Sequence, residues 1–215
     1  VGHFRRYARM SFITELDVVN RCLATMGELP INSLESSRNP IVTNARSAFK
    51  DVTIEEQAVG WWFNIEVVKL QPQGATPGEG GFYRPPTDCL SLSTVDDYNP
   101  AWLSIRDRKL YDNGRAEVHL GHDPMQVKII RLVPFDDLPY NAQRLIRDSA
   151  VFKFQMDYDG DELKIQQAEN SYTEAYAICM ADHIRSVKAN LLYKGSAGSA
   201  LVRSRIPYGR TGRWR

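Results

Sequence analysis

From Ser11 to Met26 the apolar residues Ile13, Leu16, Val19, Leu23 and Met26 recur at spacings of three and four, which places them on one face of a helix. Ser11 or Thr14 can cap its start, and Gly27 can take the left-handed conformation that ends it. After a loop with Pro30 and the polar run from Ser36 to Asn39, Asn39-Pro40 reads as an N-cap followed by proline at the first helical position. Ile41, Ala45, Ala48, Phe49, Val52 and Glu56 then form a second helical stripe, closed by Gly60.

Beyond Gly60 the period changes. Trp61, Trp62 and Phe63 open a stretch rich in β-branched and aromatic residues and broken by glycine and proline. Short strands are predicted near 64–70, 89–95, 102–106, 109–112, 116–120 and 126–132, with a tight turn at Asp112-Asn113-Gly114. Pro134 to Pro139 marks the return to helix. Ala142, Leu145, Ile146, Ser149, Phe152 and Met156 make a third stripe, and a break at Asp159-Gly160-Asp161 separates it from a fourth. That fourth stripe runs through Leu163, Ala168, Tyr172, Ala175, Cys179 and Val187 to about Tyr193.

The pattern predicts an α+β fold: a four-helix bundle of two helical hairpins with an inserted small antiparallel β lobe and an extended C-terminal arm. Its expected parts are a basic N-terminal arm (1–10), helices one and two (11–60), the β lobe (61–139), helices three and four (140–193) and a basic arm (194–215).

An apolar content of 43% with 25% charged residues is ordinary for a folded chain, so wholesale disorder is excluded. The net charge of +1 hides a sorting along the chain. Lys194, Arg203, Arg205, Arg210, Arg213 and Arg215 face no acid in the last stretch, and Arg5, Arg6 and Arg9 none in the first. With those nine cations set aside from the 27, 18 remain against 26 acids, so residues 11–193 carry −8. Basic arms on an acidic body suit an acidic protein surface or nucleic acid. The C-terminal arm also carries Leu201, Val202, Ile206, Tyr208 and Trp214, which a solvated linker does not need, so it is expected to order on a partner.

Cys22, Cys89 and Cys179 are far apart, odd in number and free of a Cys-x-x-Cys spacing, which argues against disulfides and zinc. No apolar run approaches the roughly 20 residues of a membrane helix, and no signal-peptide pattern opens the chain. A reducing aqueous compartment is expected, and Met10 is a candidate start.

The candidate chemistry is thin. His119 and His122 in His-Leu-Gly-His fall at an odd separation, which on a strand sends them to opposite faces, so turn histidines are preferred to a metal pair. Asp157, Asp159, Asp161 and Glu162 resemble the opening of a calcium loop, but Ala168 stands where its closing glutamate belongs. They read instead as a solvated hairpin tip, or as an acidic surface that lets DNA pass without holding it. Asp136-Asp137 and Asp96-Asp97 supply adjacent acids of the kind a glycan hydrolase uses, yet neighbouring residues on a strand point apart. Cys22, whose only conceivable helical base is His183, reads as core packing, and Trp61-Trp62 reads as hinge core before a stacking platform for bases or sugars. Arg5, Arg6, Tyr7 and Arg9 suit phosphate or a docked subunit equally.

The series Glu15-Leu16-Asp17-Val18-Val19-Asn20, Leu23-Ala24, Met26-Gly27-Glu28, Pro30, Ser33-Leu34-Glu35, Asn44-Ala45-Arg46 and Gly60-Trp61-Trp62-Phe63-Asn64-Ile65-Glu66 resembles the tail tubular protein A family of short-tailed bacteriophages. The resemblance covers about 11–66, is looser at Pro86, Asp88, Leu90 and Tyr111, and is architectural over the last two helices; Val1 to Arg9 departs from it. It implies a dodecameric ring of this chain between the portal protein and the tail nozzle (tail tubular protein B) in the virion tail, assembled in the host cytoplasm. Such a ring would lengthen the DNA channel and help seat the tail fibres, with double-stranded DNA passing through and no membrane, cofactor or catalytic residue involved. On this reading Arg203, Arg205, Ile206, Tyr208, Arg210, Arg213, Trp214 and Arg215 are the expected portal contacts, and Asp157, Asp159, Asp161 and Glu162 the expected channel-facing acids. The alternatives are a virion-associated polysaccharide or peptidoglycan hydrolase and a DNA-binding module built on the basic arms.

Overall fold

The computed structural model describes residues 12–35, 39–76, 78, 80–95, 103–158 and 160–193. The fold is α+β, four helices packed together with small antiparallel sheets, in the order α1 (Glu15–Thr25), α2 (Pro40–Ala58), β1 (Ile65–Leu70), β2 (Gln73–Thr76), β3 (Gly80–Phe82), β4 (Cys89–Thr94), β5 (Leu103–Arg106), β6 (Lys109–Asp112), β7 (Met125–Arg131), α3 (Tyr140–Tyr158) and α4 (Glu162–Tyr193).

The first two helices begin where their caps dictate. Thr14 accepts from Asp17 N through its hydroxyl, and the Asp17 carboxylate accepts from Thr14 N at 2.9 Å, so two of the free amides at the start of α1 are satisfied reciprocally. Glu28 N donates to Leu23 O across Gly27 and closes the other end. Asn39 Oδ1 accepts from Ile41 N at 2.9 Å ahead of Pro40.

Helix α3 is the centre of the bundle and packs against each of the other three. Its buried face carries Ala142, Leu145, Ile146, Ala150, Val151 and Phe154. One apolar cluster joins Ile13 and Val18 of the first segment to Phe49, Val52, Trp61, Leu145, Ala175 and Cys179. A second, toward the other end, gathers Val19, Cys22, Leu23, Val42, Ala45, Val151, Phe154 and Ala168. Met156 and Leu163, expected on the third and fourth stripes, are exposed instead, because the α3–α4 hairpin outruns the core and they sit at its tip. Val187 is likewise exposed, far along α4. Asn141, at the start of α3, hydrogen-bonds Asp182, so the part of α4 after Asp182 runs past the end of its neighbour. At ~1.5 Å per residue the 32-residue α4 spans roughly 48 Å, against roughly 29 Å for the 19 residues of α3.

The largest sheet has the order β1-β7-β4, both pairs antiparallel, with Val127 and Ile129 of the central strand fully buried. Two further ribbons pair β2 with β3 and β5 with β6. The expected strand at 116–120 is absent: Ala116 takes a left-handed φ of 58°, which breaks extension, and only isolated bridges from Glu117 to Asp112 and from Gly121 to Gly81 remain. Conversely β2 and β3 lie in a glycine-rich stretch that carries no alternating signal. A Cβ on Gly81 would stand 2.9 Å from Pro72 Cβ and 3.0 Å from Gln73 O, so the two backbones approach closely where no side chain fits.

Candidate assembly surfaces

Helix α2 is tied to the sheet through a set of buried amides. Asn64, fully buried, accepts from Trp61 N at 2.7 Å and donates to Gln57 O and Arg131 O at 2.9 and 3.0 Å. Gln57 exchanges two hydrogen bonds with the backbone of Val133, at 3.0 and 2.8 Å, in the manner of a strand partner. Trp61 donates its indole N–H to Glu56 O at 2.7 Å and packs edge-on against Trp62, Tyr176 and His183. The tryptophan pair is therefore a hinge core, with Trp61 interior rather than a free stacking face. His183, the only helical base considered for Cys22, lies in this junction instead. Burial pushes the Cys22 and Cys179 thiols up to about 12, so both are inert packing groups.

A second buried polar site lies between α2, α3 and α4. Ser149 Oγ donates to Glu56 Oε1 at 2.8 Å, and the Tyr172 hydroxyl bonds the same carboxylate. Desolvation raises the Glu56 carboxyl above its ordinary range, and burial with the nearby Glu56 charge lifts Tyr172 to about 12. Periodicity placed Glu56, Ser149 and Tyr172 each on the stripe of its own helix; nothing in the linear chain marked them as partners of one another.

The α3–α4 tip brings Asp157, Asp161 and Glu162 together on the surface, all exposed. Asp161 serves the helix that follows it, its Oδ1 accepting from Leu163 N at 3.0 Å to cap α4. Met156, Tyr158 and Leu163 stand exposed among these acids, Leu163 at 71%. Gln155 bonds Thr25, so the end of α1 adjoins this tip, with exposed Leu29 just beyond it. Asp159 lies outside the described residues, as do Asp96 and Asp97, the basic N-terminal arm and every expected portal contact from Arg203 to Arg215.

His119 and His122 are both exposed, and no group of three metal-ligating side chains occurs among the described residues. Asp136 and Asp137 sit side by side on an exposed 3-10 turn, Phe135–Asp137. No helix among the described residues is long and apolar enough to cross a membrane.

At the β end several cations lie over aromatic rings. Arg106 lies over the Tyr111 ring with its guanidinium carbon 3.8 Å from the centroid, while Arg84 and Lys109 flank Phe82 at 5.2 and 4.7 Å. A tail tubular protein family model matches residues 16–189, which takes in all four helices up to the last turn of α4 and every strand. The chain belongs to the tail tubular protein family. No curated protein matches it. The tail tubular proteins are a structural family of phage tails, so the setting of these surfaces is the virion tail.

Proposed function

We propose that this tail tubular protein is the repeating subunit of a ring, dodecameric by its resemblance to the A-type members, that joins the portal to the tail nozzle and carries DNA through its centre. The observation that carries the reading is the family match across the whole helical and β body, at residues 16–189. The direction of α4 supports it: Glu162 lies at the acidic tip, and the helix runs the length of the bundle to Tyr193, where the cationic arm begins. The arm thus starts at the end remote from the acidic tip, so one subunit offers a basic grip to the portal while its acids repel passing phosphate. In this reading Arg203, Arg205, Ile206, Tyr208, Arg210, Arg213, Trp214 and Arg215 contact the portal, and Asp157, Asp159, Asp161 and Glu162 face or flank the channel. Ring closure uses two different faces of each copy, and the nozzle and tail fibres dock on the assembled ring.

The mass and image of the assembled particle, alone and with portal protein, test the ring. Deletion of residues 196–215 tests the dock: truncated subunits should fold and should fail to attach to filled capsids. Normal attachment of the truncated protein would remove the arm from the contact.

A further inference from the structure

The β5–β6 hairpin and the loop after β3 carry a concentration of cations that the acidic average of the body conceals. None of Arg84, Arg106, Arg108 and Lys109 makes an ion pair among the described residues. Arg131 nearby is different, since Asp88 and Glu66 hold it at 2.7 and 3.0 Å. Three of the four unpaired cations are instead set on aromatic faces, two on Phe82 and one on Tyr111. Asn113 Oδ1 also accepts from Arg106 Nη2 at 3.1 Å, which fixes that side chain a second time. Cations already held on aromatic rings lose little further entropy when an anion arrives.

Beside them lies a cavity of about 240 Å³, lined by Arg84, Arg108, Pro85, Pro86, Ile105 and Cys89 among others. Two arginines thus share its lining with the apolar residues Pro85, Pro86 and Ile105. Arg108 contributes to it from a backbone φ of 56°, in the two-residue turn between Arg106 and Lys109, a conformation in which glycine is the unstrained choice. An arginine held there at the expense of backbone strain points to use of its side chain.

We propose that this face is a docking site for an acidic segment of another tail protein, with a carboxylate side chain seated between Arg84 and Arg108 and flanking apolar residues on Pro85, Pro86 and Ile105. Planar guanidinium forks suit carboxylates, and the apolar lining gives a peptide side chain a surface that a sugar-phosphate strand does not need. The assignment of the partner to the tail rests on the ring reading above.

The full-length chain and its Arg84→Glu/Arg108→Glu variant are compared at equal fold content by circular dichroism and equal ring mass. The probes are a fluorescent glutamate-rich peptide with interspersed leucine and tryptophan, and a short DNA duplex. The native protein should bind the peptide, charge reversal should weaken it about tenfold or more, and duplex should not displace it. Displacement by duplex, or peptide binding indifferent to the reversal, overturns the proposal. In phage supplied only with the variant, rings should join capsids while the next tail component is missing. Complete tails would overturn the docking site and leave the ring reading standing, as would rings that fail to join capsids at all while the arm-deleted form also fails, since both faces would then serve the portal.

Discussion

Ser149 of α3 donates its hydroxyl to the buried carboxylate of Glu56 on α2, 93 residues earlier, at 2.8 Å. With Tyr172 on the same carboxylate, three helices share one polar point inside an apolar bundle, and its satisfaction fixes how α2, α3 and α4 sit against each other.

This point gives the bundle a pH dependence. Desolvation raises the folded Glu56 carboxyl above its unfolded value, so the native state binds the extra proton between the two values. Its contribution to stability is therefore full below the ordinary carboxyl pKa and declines as pH rises through the folded one. Thermal melts from about pH 4.5 to 7 should show a smaller fall for Glu56→Gln than for the native chain, because the amide cannot ionise. Glu56→Ala, which leaves Ser149 and Tyr172 without their partner and opens a void, should lose about 2 kcal/mol at neutral pH.

The amide of Asn64 makes three hydrogen bonds in complete burial. Asn64→Ala should destabilise by about 3 kcal/mol in urea titration, since Trp61 N and two carbonyls lose a partner that water cannot replace. Asn64→Asp should be worse than alanine, because a carboxylate would face Gln57 O and Arg131 O. A smaller loss for aspartate would mean that the two carbonyls are not donor-dependent.

Gly60 combines a φ of 85° with an occupied neighbour: an added Cβ would come 2.8 Å from Ile130 Cδ1. Gly60→Ala should cost roughly 2 kcal/mol, part from the left-handed backbone and part from the contact. Adding Ile130→Val should recover only the second part, which a double-mutant cycle reads directly.

Arg108 offers a trade between stability and binding. Arg108→Gly should stabilise the β5–β6 turn by about 1 kcal/mol, by relief of the positive φ, and should weaken acidic-peptide binding in the same protein. A gain in melting temperature with unchanged binding would detach the strained turn from the docking face.

The caps should behave locally. Thr14→Ala removes the Asp17 N acceptor and half of the reciprocal pair, so a loss of about 1 kcal/mol is expected without change in the melt's cooperativity.

Much of this molecule is decided by short-range chemistry that a chain displays in order. Thr14, Asn39-Pro40 and Gly60 set helix boundaries because capping and left-handed backbone involve residues only a few positions apart, and the structure follows them. The stripes through Ala45, Phe49 and Val52 and through Ala168, Ala175 and Cys179 found the core because one face of a helix is one periodicity. Where the pattern misled, the cause was long-range. Met156 and Leu163 keep the period but lie beyond the last layer that could cover them, and β2 and β3 pair through glycines whose value is closeness to another backbone. The charge of residues 11–193 is likewise a sum along a line: Arg106, Arg108 and Lys109 are close in sequence, whereas Arg84 joins them only because the backbone of Leu110 bonds Tyr83. The sequence by itself determined the helices, their caps and the family; which polar groups share a buried point, and which distant arginine joins the β5–β6 turn, depended on pairings across tens of residues that only the tertiary structure makes.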